Sequence, residues 1–216
     1  MDTSRLFFGP LLSPAFSLWG SPVTWAEVCA FVLGLWMVER NIRVHPWGWP
    51  LAIASSALYA LLFADARLYG EAGLQGFFIA VSFWGWRQWL QGTETGGAPL
   101  QVRFMSAKGR VLAVGITLAA WPLLALLLSR QTDSDVPWLA AQPTVASITG
   151  QWLLARKRVE AWAVWLAVNL FSSGLFLQKS LWLTALLYAV FAVLSVAGWR
   201  AWRRLATRQA GPESAP

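Results

Sequence analysis

The first candidates for chemistry lie in one short stretch, Glu160–Asn169. Trp162, Trp165 and Asn169 stand there at i, i+3 and i+7, which is one face of a helix. Two flat apolar rings and an amide that both donates and accepts can hold a planar ligand with a polar rim. The same residues can also be packing, because indoles form interfacial belts in membrane proteins. An amide without a partner in an apolar segment is expensive, so Asn169 either meets a ligand or bonds a neighbouring helix. Other polar groups stand at helical spacing in apolar stretches: Ser55 with Tyr59, Glu71 with Gln75, Thr144 with Ser147 and Gln151, and Tyr188 with Thr184 and Ser195. Gln75 and Gln151 carry the same two readings as Asn169, and Tyr188 either caps a ligand hydroxyl or packs. Glu71 is the carboxylate clearly inside an apolar stretch. Its readings are proton coupling and a structural hydrogen bond, the second being the commoner role near a helix end.

Several kinds of chemistry are disfavoured. Cys29 and His45 are the only cysteine and histidine, which leaves no disulfide, no metal centre and no histidine-based nucleophile. There is no Gly-rich phosphate loop to hold a nucleotide. Neither a cofactor nor an enzymatic activity is expected. His45 falls in a turn, where its readings are a plain turn residue or a group at the inner mouth of a path.

The 216 residues are 57% hydrophobic and 12% charged, about half the charge of a soluble domain. The net charge of +7 does not indicate nucleic acid, because the basic residues sit in short connectors between apolar runs, as positive-inside topology requires. The expected partner is the lipid bilayer. Met1–Trp19 does not read as a cleavable signal peptide; broken by Pro10 and Pro14, it is expected to lie at the interface.

Seven apolar spans follow, over 23–38, 47–64, 68–90, 109–128, 138–155, 161–177 and 180–202. Each is near the ~20 residues that cross a ~30 Å hydrocarbon core, and helices are the structure that satisfies the backbone there. Residues 91–108 read as a polar linker and 203–216 as a disordered tail. Of the 17 Lys and Arg, 13 fall on one side: Arg40, Arg43, Arg87, Arg103, Lys108, Arg110, Arg156, Lys157, Arg158, Arg200, Arg203, Arg204 and Arg208. That side is cytoplasmic, which places the C-terminus inside and the N-terminus outside. Trp86, Trp89, Trp199 and Trp202 then read as interfacial anchors at cytoplasmic helix ends.

The chain also repeats itself. Leu68–Trp89 and Leu181–Trp202 agree at nine of 22 positions without a gap, ending in Gly-Trp-Arg-x-Trp. Ser55-Ser56 and Ser172-Ser173 give a second apparent match. The expected architecture is an all-α integral membrane protein with two parallel three-helix repeats joined by a connector helix. The segments are an outer or interfacial 1–22, a first repeat over 23–90, a cytoplasmic loop 91–108, a connector 109–128, a second repeat 138–202 and a cytoplasmic tail 203–216. Proteins built from such repeats carry substrate near the midplane between them. The connector has only Thr117 as a polar group between Val111 and Leu128, whereas the repeats carry polar stripes. Pro50, Gly150 and Gly174 are the candidate hinges.

The runs Gly48–Tyr59, Leu68–Gln75, Gly150–Lys157, Trp162-x-x-Trp165-x-x-x-Asn169 and Leu181–Trp202 resemble the PnuC family of vitamin-precursor transporters. The resemblance extends from about Val23 to Trp202. It implies a SWEET-like three-one-three fold, with facilitated diffusion of nicotinamide riboside and trapping by a separate cytoplasmic riboside kinase. It also implies a homotrimer. The implied substrate residues are Trp162, Trp165, Asn169 and Gln75, then Gln151 and Tyr188; Tyr59 and Thr144 are added from the polar stripes. Two positions depart from the family pattern: Ala140 where many relatives carry Asp, and His45 where Asn is common. Thiamine, riboflavin and deoxynucleosides are the alternative cargoes.

Overall fold

The computed structural model describes residues 9–18, 20–65, 69–93, 97–131, 137–178 and 182–210. Seven long helices are found among them: α1 (Trp25–Ile42), α2 (Gly48–Asp65), α3 (Tyr69–Gln91), α4 (Ala107–Gln131), α5 (Pro137–Ala155), α6 (Ala161–Gln178) and α7 (Trp182–Ala210). The chain divides into two compact units, Met1–Trp86 and Arg87–Pro216, with the boundary inside α3. Among the described residues, three helices are long and apolar enough to cross a bilayer: Gly48–Asp65, Ala107–Arg130 and Ala185–Gln209. Ala161–Leu175 is a shorter apolar helix. The 18 residues of α1 include Glu27, Glu39 and Arg40, which lower its hydropathy.

Ahead of α1 stands an element the sequence reading missed. Strands β1 (Pro14–Leu18) and β2 (Ser21–Thr24) form an antiparallel hairpin in which Leu18 pairs with Ser21. Gly20 lies in the loop at φ +83°, a conformation that glycine adopts at little cost. Because Val23 and Thr24 belong to β2, the first helix starts at Trp25 and not at 23. Thr24 caps it in a capping box. Its backbone N–H donates to Glu27 Oε2 at 2.6 Å, and Glu27 N–H donates to Thr24 Oγ1 at 3.3 Å.

Within the first unit α1 packs on α2. Small residues make the approach close: Ala26, Ala30 and Gly34 are buried along α1. Ser55 of α2 donates to the Ala30 carbonyl at 3.0 Å. Gly48 abuts the Asn41 side chain so closely that any Cβ would overlap it. Pro50 falls in the first turn of α2, where proline is tolerated without breaking the helix.

Within the second unit α4 packs on α5, α5 on α6 and α6 on α7. The outer residues of α4, among them Val111, Leu112, Leu118 and Leu123, are exposed, as suits a lipid-facing helix. Thr117 turns instead to α5 and shares a 2.7 Å hydrogen bond with Thr149.

The structure corrects three expectations. Residues 97–106 are no free linker, because Leu100 and Val102 are buried and the backbone of Arg103 bonds Lys157 O and Val159 N at 3.1 Å each. Arg203–Ala210 are not a disordered tail; they continue α7 as helix, held by buried Trp202 and Ala206. Residues 211–216 lie outside the described residues. Trp89 and Trp202 are not interfacial anchors, for both are buried, their rings 6.0 Å apart, and Trp89 Nε1 donates to Leu154 O at 3.1 Å.

Two turns of the chain match in their backbone, in a register that differs from the one the serine pairs suggest. The turns joining α1 to α2 and α5 to α6 make the same hydrogen bonds. Arg43 N–H donates to Glu39 O, Val44 to Asn41 O and His45 to Arg40 O; 113 residues on, Arg156 donates to Trp152 O, Lys157 to Leu154 O and Arg158 to Leu153 O. Both turns are Schellman caps whose left-handed residue is not glycine: Val44 at φ 55° and Lys157 at φ 52°. The same offset of 113 carries Leu68–Trp89 onto Leu181–Trp202. Under it Ser56 matches Asn169, and Ser172 matches Tyr59. The Ser-Ser pairing is therefore out by four residues, about one helical turn. Consistent with that, Ser173 donates forward to Ala185 O at 3.0 Å while Ser55 donates back to α1.

Candidate functional site

The Trp-x-x-Trp segment opens α6. The turn before it is tied down from three directions. Glu160, whose role nothing in the sequence signals, accepts the Met105 N–H at 3.1 Å on each carboxylate oxygen and Arg110 Nε at 2.8 Å. Lys157 Nζ donates to Leu100 O at 3.0 Å and lies 5.3 Å from the Trp89 ring. Burial pushes the Lys157 ammonium below the ordinary lysine range. The start of α6 is thus built into the loop before α4 and the end of α3. No linear motif signals these contacts.

Trp162 and Trp165 face different neighbours. Trp162 is 3% exposed and lies flat over Gly198 of α7, where a Cβ would overlap its ring. Its ring stands perpendicular to that of Trp202, 5.5 Å apart at 86°. Its indole Nε1 is buried with no acceptor among the described residues. Trp165 turns to α5, and its pyrrole edge comes within 3.3 Å of where a Gly150 Cβ would stand. It is half-buried, in contrast to Trp162. Gly150, a candidate hinge in the sequence, is the position that admits this indole.

Asn169 lies at 5% exposure, and its Nδ2 donates to Ser195 Oγ at 3.2 Å. Ser195 Oγ in turn donates a hydrogen bond to Phe191 O at 2.8 Å. One of the two sequence readings for Asn169, the bond to a neighbouring helix, is therefore present. Gln151 and Ser147 are buried on α5, and Thr144 is half-buried there. Tyr188 is half-buried on α7, its ring 6.3 Å from Phe191 at 83°. The second unit thus brings Trp165, Asn169, Gln151, Thr144 and Tyr188 onto three helices packed in succession.

The remaining candidates belong to the first unit. Gln75 is half-buried on α3, and Tyr59 is half-buried on α2 with its ring 6.2 Å from Phe63. His45 is exposed in the α1–α2 turn, where its Nδ1 accepts the Trp47 N–H at 3.3 Å. Glu71 and Ala140 have helical backbones, and their side chains lie outside the described residues. No cluster of three or more potential metal ligands occurs among the described residues.

Apolar helices of bilayer-crossing length, with buried amides and hydroxyls on their inner faces, define an all-α, multi-pass integral membrane protein. The chain belongs to the nicotinamide mononucleotide transporter family, whose model matches residues 24–204. It is 29% identical over 210 residues to the riboflavin/roseoflavin transporter RibM of Streptomyces davaonensis, covering 95% of this chain and 98% of that one. It is 22% identical over 207 residues to the nicotinamide riboside transporter PnuC of Escherichia coli, covering 85% and 87%. Among solved structures it resembles the vitamin B3 transporter PnuC, with a TM-score of 0.69 at 24% identity, over 85% of this chain and 83% of that one. This is a family of membrane transporters, not of enzymes.

Proposed function

We propose that this protein imports nicotinamide riboside by facilitated diffusion, the riboside then being trapped by a cytoplasmic kinase. One observation carries the reading: the half-buried indole of Trp165 stands one helical turn from the buried Asn169 amide. Nicotinamide riboside joins a flat pyridinium to a ribose. A pyridinium gains cation–π attraction over an indole face, and the ribose hydroxyls suit an amide. Gln151, Thr144 and Tyr188 are the further contacts proposed in the second unit, and Gln75 and Tyr59 those in the first. Charge distribution supports an outer N-terminus and a cytoplasmic C-terminus. Assembly as a homotrimer is part of the same reading.

The family likeness favours a second cargo. The riboflavin transporter aligns over nearly its whole length at 29% identity, and riboflavin also joins a flat ring to a polyol. Calorimetry on purified protein with each compound separates the two; heat from riboflavin and none from nicotinamide riboside reverses the assignment. Trp165→Ala is expected to weaken binding of the true cargo by about 1–3 kcal/mol, the worth of one stacked ring. A proton-coupled mechanism through Glu71 predicts that liposome uptake follows an imposed pH gradient. Uniport predicts that it does not.

A further inference from the structure

We infer that the two tryptophans of the Trp-x-x-Trp segment divide the work. Trp162 is a positioning residue that locks α6 to α7, and the cargo meets Trp165. The evidence is the repeat itself. Shifted by 113 residues, Trp162 falls on Trp49 and Gly198 falls on Gly85. Trp49 lies over Gly85 as Trp162 lies over Gly198: in each case a Cβ on the glycine would overlap the six-membered ring of the indole. Both tryptophans are buried, at 1% and 3% exposure. Both follow matching turns, with Trp49 N–H donating to Pro46 O and Trp162 N–H to Val159 O at 3.2 Å each.

A contact made twice, once in each unit, belongs to the scaffold. Recognition of a single asymmetric cargo requires positions where the two copies differ. Trp165 and Asn169 are such positions, for their counterparts are Ala52 and Ser56. Gly150, which receives Trp165, stands opposite Met37. With Trp162 seated on Gly198, the helices approach closely enough for Asn169 to reach Ser195 one to two turns deeper. The lock therefore sets the height and rotation of Trp165 and Asn169 while itself remaining closed to ligand.

Melting temperatures of the purified full-length protein test the lock without any ligand. Gly198→Ala should lower the melting temperature, because the new methyl strikes the indole. In a Trp162→Ala background the same substitution should raise it, since the clash is gone and alanine is the better helix former. The pair Gly85→Ala and Trp49→Ala should show the same reversal of sign, and serves if Trp162→Ala does not fold. Effects of Gly198→Ala and Gly85→Ala that keep one sign in both backgrounds overturn the lock.

The ligand half rests on the proposed function and is read by calorimetry with nicotinamide riboside and with riboflavin. Trp162→Phe should leave the Kd of whichever compound binds within about threefold, and Trp165→Ala should raise it by at least tenfold. A tenfold rise for Trp162→Phe at an unchanged melting temperature places Trp162 against the ligand and overturns the division. A wild-type protein that binds neither compound overturns the proposed function, and the lock is then decided by the melting temperatures alone.

Discussion

Val44 and Lys157 hold the same left-handed backbone in two turns although neither is glycine. That conformation costs an L-residue about 1–2 kcal/mol, and glycine's greater freedom in the unfolded chain costs about 0.5–1 kcal/mol. The first cost is the larger, so Val44→Gly is expected to stabilise the protein by about 0.5–1 kcal/mol, read as a higher melting temperature. Lys157 adds a pH dependence. Its folded-state pKa is lowered by burial, so between that value and the ordinary lysine pKa of about 10.4 the unfolded chain binds more protons. Stability therefore rises with pH across that window and flattens below the folded pKa. Lys157→Met, which keeps the apolar stem, should remove this slope from melting curves recorded at rising alkaline pH.

Among the elements, the loop between α3 and α4 departs most from its composition. Thr-Glu-Thr-Gly-Gly-Ala-Pro reads as a linker, and residues 94–96 of it lie outside the described residues. Yet the following stretch is fastened to the α5–α6 turn by backbone bonds through Arg103 and by Glu160. Arg110 is half-exposed beside Glu160, so that ion pair is worth little. The Met105 N–H bonds carry more, because charged hydrogen bonds contribute about 1.5–3 kcal/mol. Glu160→Ala should accordingly cost about 1–2 kcal/mol and speed proteolysis of this loop, with Arg110→Ala doing much less. Equal effects of the two substitutions would mean that the loop is held by charge alone. Pairing of this kind joins residues more than 50 positions apart, and no local pattern announces it. The helices were legible because each buries or exposes a long apolar run. The hairpin was not, because Trp19-Gly20 sits in a segment read as irregular from its prolines.

At the scale of the whole molecule the sequence disclosed the repeat through Gly-Trp-Arg-x-Trp but not its full extent. Apart from that run the two copies share few side chains, so a short coincidence such as Ser-Ser could outweigh the true register. Backbone geometry, which tolerates such change, restores it. The proposed binding face was half legible. Asn169 and Gln151 stand out by polarity in apolar helices and Trp165 by its spacing from Trp162 and Asn169, whereas the separate surroundings of Trp162 and Trp165 depend on which glycine each faces across the helix pair. The orientation assigned from charge has its own test. A cysteine placed near Ser13, in a Cys29→Ala background, should react with an impermeant maleimide on intact cells, and one placed at Thr207 should react only after lysis. The reverse pattern would invert the topology.

Two stretches of one chain keep the same turn, down to its left-handed residue. The Schellman turns and the indole-on-glycine contacts stand in both halves, where each fastens one helix to the next. Ala52 and Ser56 mark where the halves went separate ways. A ring added at Ala52 would meet Met37 where Trp165 meets Gly150, so moving the aromatic residue to the first half calls for a small residue at 37 as well.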